Sequence, residues 1–151
     1  MKIRAKLFQF SRPALLIVLD GETGKLYSAF DGIVDLRETR KHVPHKPEGR
    51  KPLLRSSGHG RVFRAGAPTR ESSRVQSFAP LVKELNEAAL ALRKKEPFEY
   101  VYLFAPQHLL AEATRRLPVD LRKRLKRSFG ADLVHDHPRT LVEKISSELA
   151  L

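Results

Sequence analysis

The chain has 151 residues, 41% of them apolar and 30% charged, which suits one globular domain with one core and excludes a disordered polymer. It has no cysteine, which excludes disulfide scaffolds and thiolate metal sites and fits a reducing compartment. Lys and Arg outnumber Asp and Glu 29 to 17, giving a formal charge of +12 and a pI near 10.4, so the expected partners are polyanions: nucleic acid first, acidic lipid or polysaccharide second.

Residues 1–12 mix basic and apolar side chains, and the loose alternation of Ile3, Ala5, Leu7 and Phe8 or Phe10 allows a short edge strand that Pro13 interrupts. The basic opening resembles a signal peptide, but Asp20 and Glu22 follow too soon, and the apolar run 14–19 is too short to span a bilayer. A soluble, cytoplasmic protein is therefore expected. Residues 14–20 form a continuous apolar run that ends in Asp20-Gly21, the pattern of a buried strand and a turn. Residues 24–30 alternate as a second strand, Asp31-Gly32 is a hairpin signal, and residues 33–39 make a third strand.

Residues 42–74 break the pattern. Pro44, Pro47, Pro52 and Pro68 fall among Gly49, Gly58, Gly60 and Gly66, with Lys46, Arg50, Lys51, Arg55, Arg61, Arg64, Arg70 and Arg74 between them. The stretch is too long for an ordinary connection and reads as a functional or mobile loop within the one domain, 61–65 being a short strand candidate. Val75, Phe78, Val82, Leu85, Ala89 and Leu92 then recur at helical spacing, with Ser72 or Ser73 as caps, Pro80 in the first turns and Arg93-Lys94-Lys95 at the negative end of the helix dipole.

The stretch 98–134 organises the rest. Residues 100–104 read as a central strand, which Pro106 stops as it opens a helix packed by Leu109, Leu110, Ala113 and Leu117. Pro118 opens a basic helix over 119–127, residues 129–134 form the last strand, and Pro138 opens a helix with Leu141, Val142, Ile145 and Leu149 as its stripe. Three strands in a meander followed by helix, strand, two helices, strand and helix predict an α/β domain. Its mixed sheet joins an N-terminal antiparallel meander to a parallel portion, with helices packed on its faces.

Phe98-Glu99-Tyr100-Val101-Tyr102-Leu103-Phe104-Ala105-Pro106, followed by Leu109-Leu110, Leu117-Pro118, Leu121-Arg122 and Asp132-Leu133-Val134-His135, resembles the C-terminal half of the bacterial host-attachment protein family. Leu16-Ile17-Val18-Leu19-Asp20-Gly21 resembles that family's opening strand and turn, and Pro47-Glu48-Gly49-Arg50 a proline, x, glycine-arginine loop. The resemblance implies a role in attachment to host cells. It also implies kinship with the middle domain of archaeal and eukaryotic class 1 peptide-chain release factors, whose architecture is ribonuclease-H-like.

Arg55-Ser56-Ser57-Gly58-His59-Gly60-Arg61 is the loop best suited to phosphate, since glycines let the backbone approach and arginines supply charge-assisted hydrogen bonds. It lacks the Walker lysine pattern. By the resemblance it falls where release factors carry a Gly-Gly-Gln loop, which occurs nowhere in this chain, so hydrolytic release is not expected. Binding needs only cations and backbone donors. The candidate nucleic-acid contacts are Arg50, Lys51, Arg55, Gly58, His59, Gly60, Arg61 and Arg64, with Arg122, Lys123 and Lys126 of the basic helix.

No catalytic residue, metal ligand or cofactor is assigned. His135-Asp136-His137 lacks a full ligand set and reads as a polar turn and helix cap, with His108 and His59 elsewhere. Asp20, Asp31, Asp35 and Asp132 fall near strand ends, as a metal-dependent nuclease would need, but Asp20 and Asp31 precede glycines in turns, where aspartate is ordinary. Ser56-Ser57 lack a nucleophile elbow. The expected role is non-enzymatic binding to RNA or the ribosome. The alternatives are a surface-attachment factor, a metal-dependent nuclease and a homo-oligomeric stress or interaction protein.

Overall fold

The computed structural model describes residues 1–4, 7–42 and 70–149, with 70–77 and 149 as backbone only. Its elements are β1 (Ala14–Leu19), β2 (Thr23–Phe30), β3 (Ile33–Lys41), α1 (Arg70–Lys95), β4 (Tyr100–Ala105), α2 (Gln107–Arg115), α3 (Val119–Lys123), β5 (Leu125–Gly130) and α4 (Pro138–Leu149). The strands form one sheet in the order β3-β2-β1-β4-β5. β1, β2 and β3 make the antiparallel meander, while β1, β4 and β5 run parallel. The fold is the mixed α/β sheet with packed helices that the element order implies.

β1 lies in the middle of the sheet and is buried at all six residues, as a continuous apolar run with cover on both faces requires. β4 is an interior strand between β1 and β5. On one face Leu15, Ile17, Leu19, Leu26, Val101 and Leu103 pack against Phe78, Val82, Leu85 and Ala89 of α1, Leu109 and Ala113 of α2, and Leu121 of α3. On the other, Leu16, Val18, Tyr27, Tyr102, Phe104 and Phe129 pack against Ile3 and Phe10 of the N-terminal segment and Leu141, Val142 and Ile145 of α4. The Tyr102 ring meets Phe10 edge-on at 5.8 Å, and burial pushes its phenol above its ordinary pKa.

The β2–β3 hairpin turns through Asp31 (φ 51°) and Gly32 (φ 78°), the two positive-φ residues of a tight hairpin turn. Among the described residues of 1–12, Lys2 bridges Ile33 and no edge strand forms. α1 starts at Arg70, ahead of the sequence-based boundary, and continues through Pro80.

The largest departure lies at 119–134. The predicted basic helix ends at Lys123, and the strand expected at 129–134 is β5, Leu125–Gly130, with Val134 buried in the turn that follows. Leu121, Leu125 and Phe129 recur every four residues, which mimics a helix. A shift in the β4–β5 register, where Val101 meets Leu125 but Tyr102 meets Arg127, leaves Lys126 as the extra residue of a bulge. The bulge sends Leu125 and Phe129 into opposite cores.

Candidate nucleic-acid interface

β3 is parallel to β1, because each is antiparallel to β2. Lys41 therefore lies at the end of the sheet where β1, β4 and β5 also finish. His42 is held there: its N–H donates to the Glu22 carbonyl at 2.8 Å, and its ring pairs with Glu84 of α1. The basic segment 43–69 leaves from this end with six Lys and Arg against one Glu. Arg50, Lys51, Arg55, Gly58, His59, Gly60, Arg61 and Arg64, and the short strand expected at 61–65, lie outside the described residues.

Arg122, Lys123 and Lys126 occupy the opposite end, where α3 feeds the start of β5 and Val101 N–H donates to the Arg124 carbonyl at 2.9 Å. The strands between are about 20 Å long at roughly 3.3 Å per residue. Arg122, Lys123 and Lys126 thus lie at the end of the sheet opposite His42. Arg122 and Lys123 are exposed on α3, and Lys126 is exposed on the β5 bulge, a strand position where a helix was expected. The Arg122 guanidinium donates to the carbonyls of Arg115 (2.6 Å) and Leu117 (2.8 Å), closing the C-terminus of α2. Lys126 Nζ lies 5.0 Å from the Tyr100 ring centroid, a cation–π placement.

Sequence reading missed Arg93, Asp120 and Arg124. The Asp120 carboxylate accepts from Arg93 Nε at 2.6 Å and lies 3.5 Å from Arg124 Nε. The hydrogen bond from Arg93 is the main cause that holds the Asp120 carboxyl below its ordinary pKa. Arg93 looked like an ordinary dipole partner, and no local pattern announces a tie to a residue 27 positions away.

Of the carboxylates and histidines that a nuclease would need, some converge and others do not. Asp20, Glu22, His108 and Asp132 line a cleft of about 240 Å³ at the C-terminal ends of the parallel strands, whereas Asp31 and Asp35 sit on the β2–β3 hairpin. Asp20 Oδ1 accepts from the N–H groups of Glu22 (2.8 Å) and Thr23 (2.7 Å), which is turn chemistry, and Oδ2 faces His135 at 3.4 Å. His137 Nδ1 accepts from Arg139 N–H at 3.1 Å at the start of α4, as a helix cap does. Among the described residues no three His, Asp or Glu side chains are placed to hold a metal ion. No described helix is long and apolar enough to cross a membrane.

The family model described as "Protein required for attachment to host cells" matches residues 15–145. The chain belongs to this host-attachment family. No curated protein matches it in sequence. Among solved structures the host-attachment chain is similar to the archaeal translation termination factor aRF1, with a TM-score of 0.53, 12% identity and coverage of 80% of this chain and 30% of that one. It is also similar to a structure named only as an archaeal protein, with a TM-score of 0.50, 12% identity and coverage of 91% and 37%. The host-attachment chain therefore spans about a third of the length of these structures, and at such identity the likeness shows the fold alone.

Proposed function

We propose that this host-attachment family member is a non-enzymatic, cytoplasmic protein that binds RNA or the ribosome by neutralising phosphates rather than reading bases. The observation that carries the reading is a surplus of positive charge in the sequence of residues 43–69, six Lys and Arg against one Glu, following His42, which is held at the C-terminal end of the parallel strands. Arginines spaced among glycines suit a chain that follows a phosphate backbone. The fold shared with a translation termination factor supports the same direction, and the absence of Gly-Gly-Gln from the sequence favours binding over hydrolysis.

The family description favours a second reading, contact with an acidic host-cell surface through the same cations. Material carried through purification at low salt separates the two. The RNA reading expects nucleic acid that ribonuclease removes and that high salt releases. Copurifying acidic lipid or polysaccharide without RNA would favour the surface reading, and a clean protein at low salt would contradict both.

A further inference from the structure

Three chain segments separated in sequence meet at the end of the sheet where β4 and β5 begin. The last turn of α1 brings Arg93 and Lys94, α3 brings Arg122 and Lys123, and the entry to β5 brings Arg124 and Lys126, while Lys95 faces Arg37 and Glu38 of β3 and Arg127 pairs with Glu148 of α4. Asp120 ties α1 to the entry of β5, accepting a hydrogen bond from Arg93 Nε at 2.6 Å and lying 3.5 Å from Arg124 Nε as an ion pair. Arg122 is fixed by two backbone carbonyls, and Lys126 by the Tyr100 face. Lys94, Lys123 and Lys126 are exposed and make no ion pair among the described residues.

We infer that this corner is a second RNA-binding surface that grips the phosphate backbone. The inference rests on the RNA reading above and adds a place and a mode to it. Cations held in advance by Asp120, by backbone carbonyls and by an aromatic face lose less freedom on binding than free side chains. The Tyr100 face is taken up by Lys126, so the corner presents charge rather than a stacking platform, and backbone contact follows. Asp120 is a positioning residue here, since it acts through Arg93 and Arg124.

The test is fluorescence anisotropy of a labelled RNA duplex with the full chain across a salt series. It compares wild type with the triple substitution Lys94→Gln, Lys123→Gln, Lys126→Gln. A second triple, Lys2→Gln, Lys25→Gln, Lys83→Gln, removes the same charge elsewhere. Circular dichroism checks that both variants are folded. The corner triple is expected to weaken binding and to reduce the slope of log K against log salt by about 0.7–0.9 for each phosphate no longer neutralised, the control triple much less. Equal effects of the two triples would mean that only the overall charge matters and would overturn the corner. Failure of the wild type to bind the duplex at low salt would overturn the RNA reading itself, and the corner with it.

Discussion

Leu103→Ala tests the fold at its most constrained point. Leu103 is fully buried on β4 between Ile17 of β1 and Ser128 of β5, facing the core under α1 and α2. The three carbons removed cost roughly 2.4 kcal/mol in lost burial, at about 0.8 kcal/mol each. Strands paired on both sides hold the backbone apart, so the hole closes poorly and the total is expected at about 3–5 kcal/mol. With a urea dependence of about 2 kcal/mol per molar, the midpoint should fall by roughly 1.5–2.5 M. Leu36→Ala is the matched control: Leu36 is 52% exposed on edge strand β3, and the expected change is within about 0.5 kcal/mol. Equal small shifts in both variants would mean that β4 is not an interior strand.

Gly24→Ala should destabilise by about 1–3 kcal/mol, because the new Cβ would sit 2.7 Å from Cδ2 of the buried Leu85, and urea denaturation reads it. Asp120 has a depressed pKa when folded, so its ion pairs contribute stability that is present above the ordinary aspartate range and is lost as pH falls through the lower folded value. Wild type should therefore exceed Asp120→Asn in thermal midpoint at neutral pH, and the difference should vanish in strong acid; a difference that grows with acidity would contradict the pairing. Purified protein should release no peptide from programmed ribosomes, since the chain has no Gly-Gly-Gln. Release abolished by His59→Ala would overturn that expectation.

The apolar runs made most of the fold legible. Residues 14–19 could only be a buried strand, and 100–105 stopped at a proline that opens a helix. Alternation in 24–30 and the Asp31-Gly32 turn specified the meander. The stretch 119–130 misled because the helix α3 runs almost directly into β5, Leu121, Leu125 and Phe129 keep a four-residue spacing across the junction, and the bulge at Lys126 breaks the alternation that would mark a strand. The site was less legible for a different reason. Net charge names a class of partner without naming a place. The meeting of Arg93, Asp120 and Arg124 depends on the packing of α1 against α3, which only the tertiary structure supplies.

If cations in the segment following β3 hold RNA by its phosphates, removing them must change how binding responds to salt. The most direct measurement is the salt dependence of binding to a structured RNA after neutralising Arg50, Lys51, Arg55, Arg61 and Arg64 together. These positions lie outside the apolar stripes, so the fold should survive, as circular dichroism would verify. Weaker binding is predicted, with a salt slope flattened by about 0.7 or more for each phosphate the variant no longer neutralises. Unchanged affinity with an unchanged slope would contradict the claim.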